Sequence, residues 1–258
     1  MAKHSNLKLN KSLGQHFLRD ENVLFNIVKA IDDNVEKKIP IVEVGPGAGA
    51  LTKFLHQKEN FKLVEFDTRW AAYLLKEYPS LEGRIYNEDF LKMDLKEIYN
   101  KMAIVGNFPY NISSQILFKV LEHKEIVPTV IGMFQKEVAM RICSKPKSKA
   151  YGILSVLIQA YYDAEYLFDV PRESFHPAPK VMSGVLILRR KEKLNLACDE
   201  KFFKRLIKMA FQQRRKTLRN SLKQLIFSDD IKQLEIFNKR PEALDVDAFI
   251  NLTNILDN

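Results

Sequence analysis

Four consecutive residues, Asn107, Phe108, Pro109 and Tyr110, stand where a turn needs only Gly, Asp or Ser. Pro109 lacks an N–H and fixes its own φ, and it drives Phe108 into an extended conformation. The Phe108 carbonyl is therefore aimed. The Asn107 amide oxygen is a second acceptor beside it, and Tyr110 adds a flat ring with a polar tip. Two acceptors against an aromatic face suit a planar group that carries an NH2.

A second cluster lies upstream, in "EVGPGAGALT" from Glu43 to Thr52. Gly45, Gly47 and Gly49 let a backbone pass close to a ligand and turn tightly without a Cβ clash. Glu65 follows Gly45 by 20 residues, placed to accept hydrogen bonds from the two hydroxyls of a ribose. Read through Ala50 as G-x-G-x-x-A, the loop also fits a dinucleotide, so an oxidoreductase has to be weighed. Three features favour S-adenosylmethionine over a nicotinamide. The loop has the E-x-G-x-G-x-G spacing seen in methyltransferases. Asp89 and Phe90 in "NEDF" offer an adenine both an acceptor and a stacking surface. The Asn-Phe-Pro-Tyr run ends a fourth strand, on the carboxyl edge where ligands of such sheets bind.

The elements that must position these residues follow from alternation. "IPIVEVG", "FKLVEFD", "GRIYNEDF", "MAIVGN" and "PTVIGMFQ" read as short buried strands. Between them "GALTKFLHQ", "TRWAAYLLKEY" and "SSQILFKVLEH" have helical spacing, and "KEVAMRIC" opens another helix. Apolar strands alternating with helices predict an α/β domain with a parallel sheet covered on both faces. After a helix near 151–161, "AEYLFDV" and "VMSGVLILRR" read as late strands, and beyond about Lys191 only helical patterns remain. The expected organisation is an α/β domain over 1–190 and a small all-helical domain over 191–258.

Composition narrows the partners. The chain of 258 residues carries 41 basic against 32 acidic side chains, a net charge of +9. Lys201 to Lys223 holds nine Lys or Arg and no acid, and Lys3, Lys8, Lys11 and Arg19 add to a basic N-terminus. Such clustering points either to a polyanion, most economically nucleic acid, or to a solvated helix face. No apolar run approaches the roughly 18 residues of a membrane span, and the N-terminus has no apolar leader core. The reading is cytosolic. Cys143 and Cys198 stand far apart without a CxxC spacing, so no disulfide framework and no metal site is expected.

With these residues in view the chain resembles the KsgA-type ribosomal RNA adenine dimethyltransferases. Seven segments carry the resemblance in order: "GQHFL", "GPGAGALT", "GNFPYNISS", "QKEVAMRI", "KAYGILSV", "FHPAPKVMS" and "RRKTLRNSL". It implies a Rossmann-like, S-adenosylmethionine-dependent methyltransferase domain with a helical C-terminal domain. The reaction implied is N6,N6-dimethylation of two adjacent adenines in the 3′-terminal hairpin of small-subunit rRNA, within the 30S subunit or its precursor. By analogy His16 and Leu18 border the cofactor, Gly45 lies under its methionine end, Glu65 takes the ribose and Asp89 the adenine. Asn107 meets both cofactor and target base, Tyr110 stacks on that base, and Phe175 covers its other face. Arg214, Arg215, Lys216 and Arg219 are the expected phosphate contacts, and a monomer is expected. Two departures stand out: Phe108 replaces a common leucine, and Met182 replaces a common aspartate. Rival readings are a large-subunit rRNA dimethyltransferase and a protein acting chiefly as a ribosome-assembly checkpoint.

Overall fold

The computed structural model describes residues 16–225 and 228–257. Gly14 and Gln15 of the "GQHFL" segment, and Lys3, Lys8 and Lys11, lie outside them. The chain divides into two compact units, 1–139 with 165–190, and 140–164 with 191–258.

The first unit is built on short apolar strands. In chain order they are β1 (Phe17–Leu18), β2 (Ile41–Val44), β3 (Phe61–Val64), β4 (Ile85–Tyr86), β5 (Ala103–Asn107), β6 (Thr129–Gln135), β7 (Tyr162–Val170), β8 (Phe175–His176) and β9 (Ser183–Arg190). Seven form one sheet in the order β4-β3-β2-β5-β6-β9-β7, while β1 and β8 pair separately. From β4 to β6 all neighbours are parallel, as the alternation predicts, and β9 runs antiparallel to β6. β7 crosses between the units, its residues from Glu165 onward belonging to the first.

Helices cover the sheet: α1 (Glu21–Asn34), α2 (Thr52–Leu55), α3 (Thr68–Glu77) and α4 (Ser113–Glu122), followed by α5 (Lys136–Ile142) at the end of β6. α1 was not read from the sequence, although its start is well signalled. The Asp20 carboxylate accepts from the backbone N–H groups of Asn22 and Val23, capping the first turn. Its buried stripe of Val23, Leu24, Ile27 and Ile31 joins the core formed by Leu63, Val105, Ile131 and Val185.

The register matters most for function. Ile41 of β2 pairs with Phe61 on one side and Ala103 on the other, so the three strands start level, β2 and β3 end level, and β5 runs on to Asn107. The loops after β2, β3, β4 and β5 therefore converge on one carboxyl edge.

The second unit holds α6 (Ile153–Gln159), α7 (Glu200–Gln212), α8 (Leu218–Ser221), α9 (Asp229–Gln233) and α10 (Val246–Asp257). α7 buries Phe203, Leu206, Ile207, Ala210 and Phe211 and leaves its basic residues outward. Tyr151 meets Phe211 at 6.3 Å between ring centroids, and Phe211 meets Phe249 at 5.9 Å. That aromatic chain is why 140–164, assigned to the first domain on sequence grounds, falls in the second unit. No helix among the described residues is long and apolar enough to cross a membrane.

Candidate active site

The converging loops enclose a cavity of about 240 Å³. On its β2 side the glycine loop departs from regular geometry, with φ of +68° at Gly45, +53° at Gly47 and +81° at Gly49. A Cβ at Gly47 would lie 2.9 Å from Cε1 of Phe17, and Gly45 and Gly47 both line the cavity. Gly49 does not line it. A Cβ there would lie 2.7 Å from Cδ2 of Leu74, so the third glycine lets the loop pack on α3.

Glu65, just past β3, is buried and lines the cavity. One carboxylate oxygen accepts from the Gly47 N–H at 2.9 Å and the other from the Asp67 N–H at 2.8 Å. Burial pushes its pKa up, and those backbone bonds oppose the rise. Each oxygen keeps a second lone pair for a ligand. Asn87 braces the same turn by donating to the Glu65 carbonyl at 2.7 Å. Asp89 lines the cavity and accepts from the Leu91 N–H at 3.0 Å, with Phe90 buried beside it.

Among the lining residues not singled out on sequence grounds are Glu43 and Phe66. Glu43 is 2% exposed and accepts from the Thr52 hydroxyl at 2.7 Å, and burial pushes its pKa up to about 8. Its place at the head of the glycine motif was the available signal. Phe66 is 61% exposed on the cavity rim, an exposure that sequence alone does not announce.

The β5 side is built differently. The Asn107 amide donates to the His16 carbonyl at 3.1 Å, which turns its oxygen the other way. Among the described residues neither that oxygen nor the Phe108 carbonyl has a hydrogen-bond donor. The Phe108 ring is 1% exposed and lies against Phe134 at 5.1 Å between centroids. It occupies the space that a side chain at Gly132 would need. The ring thus clamps the loop whose carbonyl it carries. Tyr110 stacks on His16 with centroids 5.8 Å apart and planes 27° from parallel. Its hydroxyl lies 2.5 Å from the Ser183 Oγ, and burial pushes the phenol pKa up. His16 is held in turn by donation from Nδ1 to the Pro177 carbonyl at 2.8 Å.

His16, Leu18, Gly45, Gly47, Glu65, Asp89, Phe90, Asn107, Phe108, Pro109 and Tyr110 are thus brought to one cavity. Phe175 is not. It is buried in β8, paired with Leu18 of β1, and belongs to the core.

The four basic residues divide. Arg214 donates to the Ser148 carbonyl at 3.2 Å and lies 3.9 Å from Glu242, and Arg219 donates to Asn238 at 2.9 Å. Arg215 and Lys216 are exposed.

Fold and cavity together define a Rossmann-like, S-adenosylmethionine-dependent methyltransferase. The residues fit that cofactor: Glu65 presents buried carboxylate lone pairs at the end of β3, and Asp89 with Phe90 offers an acceptor and a ring at the end of β4. The fold is shared with a dimethyladenosine transferase from Plasmodium falciparum (TM-score 0.79, 24% identity, 94% of this chain and 98% of that one). It is shared also with the 23S rRNA methyltransferase ErmE (TM-score 0.68, 23% identity, 94% and 100%). The family model described as ribosomal RNA adenine dimethylase matches residues 6–257, and the chain belongs to that family. A ribosomal RNA small subunit methyltransferase A of Flavobacterium johnsoniae is 53% identical over 97% of this chain and 97% of its own length. The protein of that name from Bacteroides thetaiotaomicron is 52% identical over 96% and 94%.

Proposed function

We propose that this enzyme dimethylates N6 of two adjacent adenines in the 3′-terminal hairpin of small-subunit rRNA, within the 30S subunit or its precursor. The observation that carries the chemistry is the pair of open acceptors, the Asn107 amide oxygen and the Phe108 carbonyl, beside the Tyr110 ring. An adenine N6 is a poor nucleophile because its lone pair is delocalised into the ring. Two acceptors on its hydrogens favour the pyramidal nitrogen with a localised lone pair. Such contacts improve as the transition state is approached, which raises the rate and not merely the affinity.

S-adenosylmethionine supplies an electrophilic methyl group on a sulfonium. Glu65 and Asp89 hold its ribose and adenine, and Tyr110 takes one face of a target base drawn out of its stack. Holding N6 in line is most of what the protein has to do, and an ammonium-like product is acidic enough to lose its proton to water. Arg215 and Lys216 are the phosphate contacts of the second unit, because Arg214 and Arg219 are engaged within the protein. The enzyme works as a cytoplasmic monomer, where its ribosomal substrate is.

Small subunits lacking the modification, incubated with methyl-labelled S-adenosylmethionine and digested to nucleosides, should yield labelled dimethyladenosine. Label appearing only with large-subunit RNA or DNA would overturn the substrate. A variant without methyl transfer that restores subunit assembly in full would make the checkpoint role the chief one.

A further inference from the structure

The "FHPAPKVMS" segment ends at Ser183, a residue that neither cofactor nor base positions call for. It is fully buried at the start of β9, where it pairs with Gln135 of β6. Its neighbour Gly184 is pressed against Tyr166, whose hydroxyl donates to Asp169, and Asp169 accepts from the Lys136 ammonium at 2.6 Å. The Lys136 N–H donates to the Met182 carbonyl at 2.9 Å, closing a ring of contacts around the strand start. The Ser183 hydroxyl is therefore fixed by the sheet, and it is the partner of the Tyr110 hydroxyl at 2.5 Å.

We infer that Ser183 is a positioning residue, whose Oγ anchors the Tyr110 hydroxyl to β9 and so holds the ring flat beside the Asn107 and Phe108 acceptors. This rests on reading Tyr110 as the base-stacking platform. A tyrosine directly after a rigid Phe-Pro step is free to turn about χ1 and χ2 unless something holds its far end. His16 supports one face of the ring, and Ser183 holds the tip. The hydroxyl is then an anchor, with no proton to exchange with the base. Its burial, which disfavours the phenolate, agrees with that role. The Met182 departure falls outside the device, because position 182 contributes its backbone carbonyl to the ring of contacts.

The test is a double-mutant cycle of Tyr110→Phe and Ser183→Ala in single-turnover methylation of small subunits, with Tyr110→Ala as a third variant. Tyr110→Phe changes no buried strand residue, so it carries the test even if Ser183→Ala folds poorly. Each single variant should lower the rate constant about fivefold to tenfold, the effect of one hydrogen bond. The subunit concentration at half saturation should move less than about twofold, and melting temperatures should stay together. The double variant should be no slower than the slower single one. Multiplying effects would overturn the anchor. A Tyr110→Phe loss far above that of Ser183→Ala would overturn it too, by giving the hydroxyl a direct part in the reaction. Failure of the platform reading shows separately, as a Tyr110→Ala variant no slower than Tyr110→Phe.

Discussion

The two halves of the cavity differ in what their polar groups already hold. On the β2–β3 side the acids are engaged: Glu65 accepts from Gly47 and Asp67, and Glu43 accepts from Thr52. On the β5 side the acceptors stand open, and the surrounding contacts serve only to aim them: Asn107 through His16, Phe108 through its clamped ring, Tyr110 through Ser183. The first arrangement suits binding, since a loop fixed in advance loses little on meeting its ligand. The second suits catalysis, since donors arriving with the target base find acceptors already in place.

Cutting into the open half should have the largest effect. Asn107→Ala removes one of the two acceptors and should lower kcat about 10²–10³-fold, measured by single-turnover methylation with cofactor saturating. Within the engaged half, the glycines should separate. Gly47→Ala pushes a methyl toward Phe17 on the cavity wall and should weaken cofactor binding, read by calorimetry. Gly49→Ala presses on Leu74 with a left-handed backbone and should lower the melting temperature by about 4–8 °C.

That contrast also shows what the sequence could carry. Strand ends, the acid after β3 and the Asn-Phe-Pro-Tyr acceptors were legible because each depends on local pattern and on one rule about parallel sheets. The role of Gly49 was not, because Leu74 reaches it from another element. Nor was the place of Phe175: an aromatic in a recurring segment reads alike whether it faces a ligand or pairs with Leu18 in the core. Ser183 lies 73 residues from Tyr110, and only the fold joins them. The domain boundary at 190 missed 140–164 for the same reason, since the Tyr151 ring packs on Phe211 of the distant α7.

The buried acid of the engaged half sets a pH dependence. The Glu43 carboxyl titrates near 8 in the fold and near 4.5 unfolded, so between those values the folded state holds the extra proton. Stability must then fall as pH rises from about 4.5 to 8 and level off above. Glu43→Gln, which cannot ionise, should gain on the natural protein across that window, the gap in melting temperature widening from about pH 4.5 to 8. A gap that shrinks with rising pH would contradict the assignment. The smallest effect belongs to the second unit. Arg215→Ala with Lys216→Ala should weaken subunit binding severalfold and reduce the salt slope by roughly two, whereas Arg214→Ala, which breaks its bond to Ser148, should show mainly in stability.

The difference between the halves is tested most directly by the affinity of S-adenosylmethionine, without RNA, for Glu65→Gln and Asn107→Ala. Glutamine sets an NH2 against one of the two backbone N–H groups that Glu65 now accepts, so the loop loses its fixing as well as its charge. The expected result is a loss of about 10–100-fold for Glu65→Gln and only about threefold for Asn107→Ala. Equal losses, or a larger one for Asn107→Ala, would contradict the division of the cavity into a half that binds and a half that reacts.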